Sequence, residues 1–419
     1  MDSEKESTQI LDNFLFPKIF QTFRLAIGPS KLIIAFLGLI IIAFAGKVMD
    51  VSNTVVVANN GNTELQVYLS TPDQLPQFIK TNKEIGLNQG VYTTFWQFAT
   101  GKFQDILNSM FAFNFTAIAS HLADYSKAMI WLMRHHPIYS IIFIAIKLVV
   151  ISIVGGAICR STALQFARNE KPGLVESLRF STKKFTSFFA APLVPIAIII
   201  ALGSVIFLIG VIGNIPAIGE LVIAISFPII LTIGTFIAVI TIGAVAGFNL
   251  MFPAVAYDGS DSFDAISRSF SYVYARPWRM GFYTALAAVY GAICYLFVRF
   301  FAFLLTWLSH SFLQLGIWVN SDSDINKLNA IWPEPSFMDF GLSGTAASWS
   351  QSVSAFLIHL SLLAIVGLLV SFVISFYFSA NTIIYAALRK RVDNTALGDI
   401  YINLDDIKNN LDAGETKPE

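Results

Sequence analysis

Lys147 is the residue whose surroundings most suggest chemistry. It stands in Ile144-Ala145-Ile146-Lys147-Leu148-Val149, near the middle of an apolar run. A charge is costly there and is kept for a substrate, a lipid headgroup or an ion path. A lysine that snorkels or bonds backbone carbonyls is the structural alternative. Arg299, in Val298-Arg299-Phe300, falls near the far end of a later run and is expected to snorkel to the headgroups. His135-His136, with His121 and Asp124 upstream, offers donor types that suit a transition metal. Their spacing matches no standard zinc motif. The chain carries no P-loop, GxSxG, HExxH, CxxC or dinucleotide fingerprint. No acid, base and nucleophile converge on one place, so no enzyme and no cofactor are expected. The apolar runs hold no Asp or Glu beyond Glu220 at a boundary, which weighs against a proton-coupled carrier.

A second group of candidates is basic and aromatic. Arg268 lies on an amphipathic stretch, and Arg276-Pro277-Trp278-Arg279 comes after it. Proline stops a helix, tryptophan favours the headgroup level, and two guanidinium groups suit lipid phosphates. Arg268, Arg276, Trp278, Arg279 and Lys147 are therefore the expected ligand or lipid contacts, and no metal site is expected. Gly243 and Gly247 form a GxxxG in an apolar run, a pattern that lets helices approach closely within one chain or between copies.

These residues must be positioned by membrane helices. Of 419 residues, 55% are hydrophobic and only 13% charged, against about 25% charged in soluble domains. Several apolar runs exceed about 18 residues, so the chain reads as an all-α integral membrane protein. The net charge of +0 gives no field for nucleic acid, which is excluded as a partner. Cys159 and Cys294 sit in apolar runs and read as buried thiols. No cleavable signal peptide is visible.

In chain order, residues 1–31 form a polar and then amphipathic N-terminus, and 32–50 the first span. Residues 51–137 form a long excursion. In it, Val55–Val57 and Leu65–Leu69 flank Asn60-Gly61, a β-hairpin signal. Residues 71–99 read as loop, and Phe103 to about Arg134 as one or two surface helices. Residues 138–388 hold five more spans: Ile138–Ala157, Ala191–Ile212, Leu221–Phe252, Gly281–Leu308 and Ala355–Leu388. Between them lie elbows at 160–190 and 253–280 and an outer loop at 309–354. The fourth and sixth spans are overlong, so the fourth must tilt, kink near Pro228 or protrude. The tail is 389–419. Loops on the side of both termini carry 18 Lys and Arg against 7 on the other, so the positive-inside rule puts both termini in the cytoplasm.

Three amphipathic segments precede a span on that side: Ile19–Ser30, Leu174–Phe189 and Phe263–Pro277. Each carries an arginine at a similar place, Arg24, Arg179 and Arg268. They read as three degenerate copies of an interfacial helix plus span. In the third, Phe263, Ile266, Phe270 and Val273 are expected on one face, Asp264, Arg268, Ser269 and Ser271 away from it, with Asp261 or Ser262 as cap.

Three pieces carry a resemblance: Leu164-Gln165-Phe166-Ala167-Arg168-Asn169-Glu170-Lys171-Pro172-Gly173; the stretch from Arg179-Phe180 to Ala190-Ala191-Pro192; and Ala265 through Arg279. Together they resemble an uncharacterised bacterial multi-pass membrane family of planctomycete type, over most of residues 130–310. Ala265-Ile266 and Ser269 before a span are also loosely similar to the membrane domain accompanying some glycerophosphodiester phosphodiesterases. The soluble phosphodiesterase domain, with its His and Glu metal site, has no counterpart here. The resemblance implies a bacterial cytoplasmic membrane and no mechanism.

The expectation is thus a non-enzymatic multi-pass component of a bacterial inner membrane. It would bind the lipid bilayer, anionic headgroups included, or a membrane protein partner or a second copy of itself. The alternative is a small-solute or lipid transporter with Lys147 in its path.

Overall fold

The computed structural model describes residues 15–52, 54–83, 87–316, 327–337, 339–341 and 348–402. The expected frayed residues 1–12, parts of the 309–354 loop and the end of the 389–419 tail fall outside them. A 3-10 turn over Phe16–Gln21 leads into α1 (Thr22–Ala26) and α2 (Pro29–Met49), followed by strand β1 (Val55–Val57). Then come α3 (Glu64–Ser70), α4 (Leu75–Asn82), β2 (Leu87–Gln89), α5 (Val91–Phe111) and α6 (Phe115–His135). The chain continues with α7 (Pro137–Arg168), α8 (Leu174–Lys183), α9 (Phe185–Ala190), α10 (Leu193–Ile212) and α11 (Ile218–Asp258). It closes with α12 (Ser262–Ala275), α13 (Pro277–Gly316), α14 (Lys327–Ile331) and α15 (Trp349–Val392). Six of these, α2, α7, α10, α11, α13 and α15, are long and apolar enough to cross a membrane, which makes this an all-α membrane architecture.

The chain divides into two compact units, Leu37–Ile151 and the remainder. In the smaller unit, the strand at Val55–Val57 forms, but its partner differs from the expected one. It pairs antiparallel with β2, Val55 opposite Gln89. Asn60-Gly61 does turn the chain, with Gly61 at φ +83° and its N–H donating to Ala58 O at 2.8 Å. Residues Glu64–Ser70 are helical because Thr63 and Gln66 make a reciprocal capping box: Gln66 N–H donates to Thr63 Oγ1, and Thr63 N–H to Gln66 Oε1 at 2.9 Å. The expected loop at 71–99 is likewise replaced by α4, β2 and the first turns of α5. Buried Asp50 fastens α5, accepting from Tyr92 N at 2.7 Å and Thr93 N at 2.9 Å. Val55, Leu65, Val91, Ala128, Trp131 and Leu132 form the core.

In the larger unit, burial concentrates at the C-terminal ends of α7, α11 and α15. Ala157–Leu164, Leu250–Tyr257 and Ser379–Leu388 run almost wholly buried. The expected loop from Arg160 is therefore the last turns of α7. Arg160 is buried, donates to Ala256 O at 3.1 Å and lies over the Phe180 ring at 4.4 Å. The ends are joined by hydroxyls, with Thr162 and Ser379 3.0 Å apart. α11 stays one helix of 41 residues through Pro228 and Pro253. At about 1.5 Å per residue it is roughly 60 Å long, about twice the hydrocarbon core.

Each elbow docks just before one of these ends. Ser181 of α8 donates to Ile153 O at 2.7 Å, and a Cβ at Gly156 would lie 2.5 Å from its hydroxyl. Ser375 of α15 donates to Ala26 O of α1 at 2.7 Å. A Cβ at Gly243 of α11 would lie 2.8 Å from the Phe270 ring of α12, and one at Gly247 3.4 Å. The Gly243/Gly247 pair thus serves close approach within this chain. Arg299 does not snorkel. It is buried on α13, donates to Phe337 O and Tyr295 Oη at 3.1 Å each, and faces the Phe337 ring. The segment Lys327–Gly341 folds back here, with Trp332 Nε1 donating to Phe340 O at 3.1 Å.

Candidate functional site

Asp261 caps α12, accepting from Asp264 N at 2.8 Å. The buried face of that helix is Ala265, Ile266, Ser269, Tyr272 and Val273, at helical spacing. Of the expected face, Ile266 and Val273 are buried and Phe270 packs against Met251, while Phe263 is 66% exposed and Ser269, expected away from that face, is fully buried and donates to Ala265 O. Ser269 is admitted to this face because its hydroxyl is satisfied within its own helix, a criterion that hydrophobicity alone does not express.

Arg268 projects from this helix into a cluster of carboxylates. Its Nε reaches both oxygens of Asp264 at 3.0 and 2.9 Å, one helical turn away. Its Nη1 lies 3.6 Å from Asp258, the last residue of α11, and 4.0 Å from Asp393 beyond α15. Arg389, in the last turn of α15, meets Asp258 at 3.0 Å and Asp399 at 3.5 Å, and donates to Asp399 O at 2.6 Å. Tyr385 donates to Asp258 and Tyr272 to Asp393. The segment after α15 straps the cluster down: Tyr257 donates to Leu397 O, and Tyr401 N–H to Tyr257 O at 2.9 Å. Lys184 donates to Gly259 O at 2.6 Å. Gly259 adopts φ +66°, and a Cβ there would strike the Tyr401 ring at 2.4 Å.

Burial works against charge on Arg268, yet the Asp264 hydrogen bond and the Asp258 and Asp264 carboxylates hold its pKa above the ordinary value. Burial likewise opposes ionisation of Asp264, but Ser260 and Arg268 outweigh it and keep that carboxyl below its usual range. Burial and the Asp393 carboxylate push the Tyr272 phenol up. Such a charge-matched network locks helix ends together. It leaves Arg268 committed to carboxylates of its own chain.

The other expected contacts lie elsewhere. Arg276, Trp278 and Arg279 are exposed at the corner where α12 ends at Ala275 and α13 starts at Pro277. Pro277 thus closes one helix and opens the next at once, and Trp278 is 86% exposed. Arg24 and Arg179 are exposed on the other two elbows. Lys147 belongs to the smaller unit, on the first half of α7. It is half-buried and makes no hydrogen bond or ion pair with any described residue.

His121 lies 3.4 Å from Lys102 Nζ, which also pairs with Asp124 at 3.0 Å. His136 sits apart from them, its Nε2 3.8 Å from buried Glu64. Among the described residues no group of three or more His, Cys, Asp or Glu side chains is placed to hold a metal ion. Sequence reasoning missed Asp258, Arg389, Asp393 and Asp399, which stand at helix ends or just beyond them. Glu64 was also missed, its signal being the Thr63-x-x-Gln66 cap around it. No family model, curated protein or solved structure matches this chain.

Proposed function

We propose that this chain is a non-enzymatic membrane component that holds anionic lipid headgroups at the corners of its elbows. The observation that carries the reading is the Arg276–Arg279 corner. Two exposed guanidinium groups and an exposed indole sit at the start of a membrane helix, while Arg268 is spent inside the protein. An indole at headgroup depth and arginines beside phosphates are the ordinary chemistry of such a surface. In this reading both termini are cytoplasmic, the membrane is a bacterial inner membrane, as the planctomycete-type resemblance also implies, and residues 51–137 lie outside.

The test is native mass spectrometry of protein released from nanodiscs of mixed phosphatidylcholine and phosphatidylglycerol. The wild type should retain phosphatidylglycerol, and the Arg276→Ala/Arg279→Ala variant should retain less. Equal retention removes the proposal. Copurifying subunits would extend the reading to a scaffold.

One observation favours a second reading, transport of a small solute or lipid: the half-buried Lys147 without a partner among the described residues. Lys147→Met would then abolish flux in proteoliposomes while leaving the protein folded, whereas a scaffold would be indifferent.

A further inference from the structure

His136 stands at the junction between α6 and α7. It ends α6, with its N–H donating to Leu132 O at 3.1 Å. Its carbonyl accepts from Ser140 N at 2.9 Å and Ser140 Oγ at 2.7 Å in the first turn of α7. The imidazole packs edge-on to buried Trp131, ring centres 4.9 Å apart. Trp131 Nε1 donates to Glu64 Oε1 at 3.3 Å, and Val56 N–H lies 3.5 Å from the other oxygen. Glu64 thus ties β1, α3 and α6 together, yet no fully charged group neutralises it. Among the described residues its ion-pair partner is His136, whose Nε2 is buried, 3.8 Å away, and lacks a hydrogen bond there.

We infer that Glu64 and His136 form a proton-operated latch, which holds α3 against the α6–α7 junction near neutral pH and loosens as the medium turns acidic. Other titratable groups act on the pair from each side. His135 and Arg134 belong to α6, and Tyr68 of α3 stacks edge-on against His135. Tyr139 is on α7. Asp50 is committed to the N–H groups of Tyr92 and Thr93.

Proton counting sets the direction. Burial and the neighbouring His135 push His136 down from 6.5 to about 4. Its stabilising contribution is therefore complete above its unfolded value and fades as pH falls toward the folded one. Burial pushes Glu64 up from 4.5, against the hydrogen bonds from Val56 and Trp131. Its contribution runs the other way, complete below 4.5 and lost as pH rises through the folded value. As pH falls below 6.5 the opened segment takes a proton on His136 that the folded one refuses until about 4, and the smaller upward shift of Glu64 offsets only part of that. Acid therefore favours opening. The latch rests on this packing alone. Only its meaning as a sensor of external acid rests on the topology proposed above.

Hydrogen exchange by mass spectrometry on the full chain in nanodiscs tests it, with rates corrected for intrinsic exchange. In wild type, peptides covering Glu64–Ser70 and Trp131–Ser140 should lose at least about threefold protection from about pH 7.5 to about pH 5, while peptides of α10 stay constant. His136→Gln should abolish that loss and leave only the opposite trend that Glu64 carries. Glu64→Gln keeps an oxygen for Trp131 but cannot take the offsetting proton, so it should respond more steeply than wild type. It serves as the deciding variant if His136→Gln does not fold. Equal protection of wild type at both pH values, or a Glu64→Gln response no steeper than wild type, overturns the latch.

Discussion

Around Asp258, the last residue of α11, each buried charge meets an opposite one: Arg389 at 3.0 Å, Arg268 at 3.6 Å, and a tyrosine hydroxyl from α15. Around Glu64 the environment is as closed, but the partners are an indole, a backbone amide and an imidazole with a free edge. A carboxylate matched by guanidinium groups keeps a countercharge at every physiological pH and fixes helix ends. A carboxylate matched only by groups that are neutral or can become so changes its state with pH. One protein uses both arrangements, the charge-matched one to lock and the one without a guanidinium partner to respond.

The largest expected effect breaks the lock. Asp258→Ala leaves buried Arg389 with only the exposed Asp399, and should cost about 3–5 kcal/mol. Thermal unfolding of the detergent-solubilised protein reads it as a marked drop in Tm. A small loss would mean that water already shares the cluster. The dyad comes next. Its linkage should tilt stability downward in acid by at most about 1.4 kcal/mol per pH unit, the limit for one proton. Unfolding measured from about pH 7 to pH 5 should show a downward slope in wild type and a flat or reversed one in His136→Gln. The smallest effect is at the rim of the lock. Asp264 is 44% exposed, so Asp264→Ala should cost no more than about 1 kcal/mol despite its two short bonds to Arg268. A larger loss would show that Asp264 matters through Asp258 and not through its own ion pair.

The membrane helices were legible because their signal is local. Apolar runs at Leu32, Ile138, Ala191, Leu221, Gly281 and Ala355 each mark a helix that forms. Their ends were harder to place, for a reason visible at α7. Arg160, Ser161 and Thr162 are polar in the sequence and buried in the fold, since Ala256 O and Ser379 satisfy Arg160 and Thr162. The strand partner of Val55–Val57 was missed because the alternation at Leu65–Leu69 also fits a short helix, and the Thr63–Gln66 cap decides between them. Arg268 was recognisable as special, but its role is set by Asp258 and Asp393, which are brought near only by tertiary folding. Trp278 and its flanking arginines were readable as an exposed corner because Pro277 marks the helix break locally, with no distant residue needed.

Quenching of Trp278 fluorescence is the sharpest probe of headgroup binding at the Arg276–Arg279 corner. Wild type and Trp278→Phe would be reconstituted with lipids brominated near the headgroup, once as phosphatidylglycerol and once as phosphatidylcholine. The difference between the two proteins isolates the Trp278 signal. If the corner holds anionic headgroups, the anionic lipid quenches this signal more strongly, and Arg276→Ala/Arg279→Ala abolishes the preference. Equal quenching by the two lipids in wild type would contradict headgroup selection there.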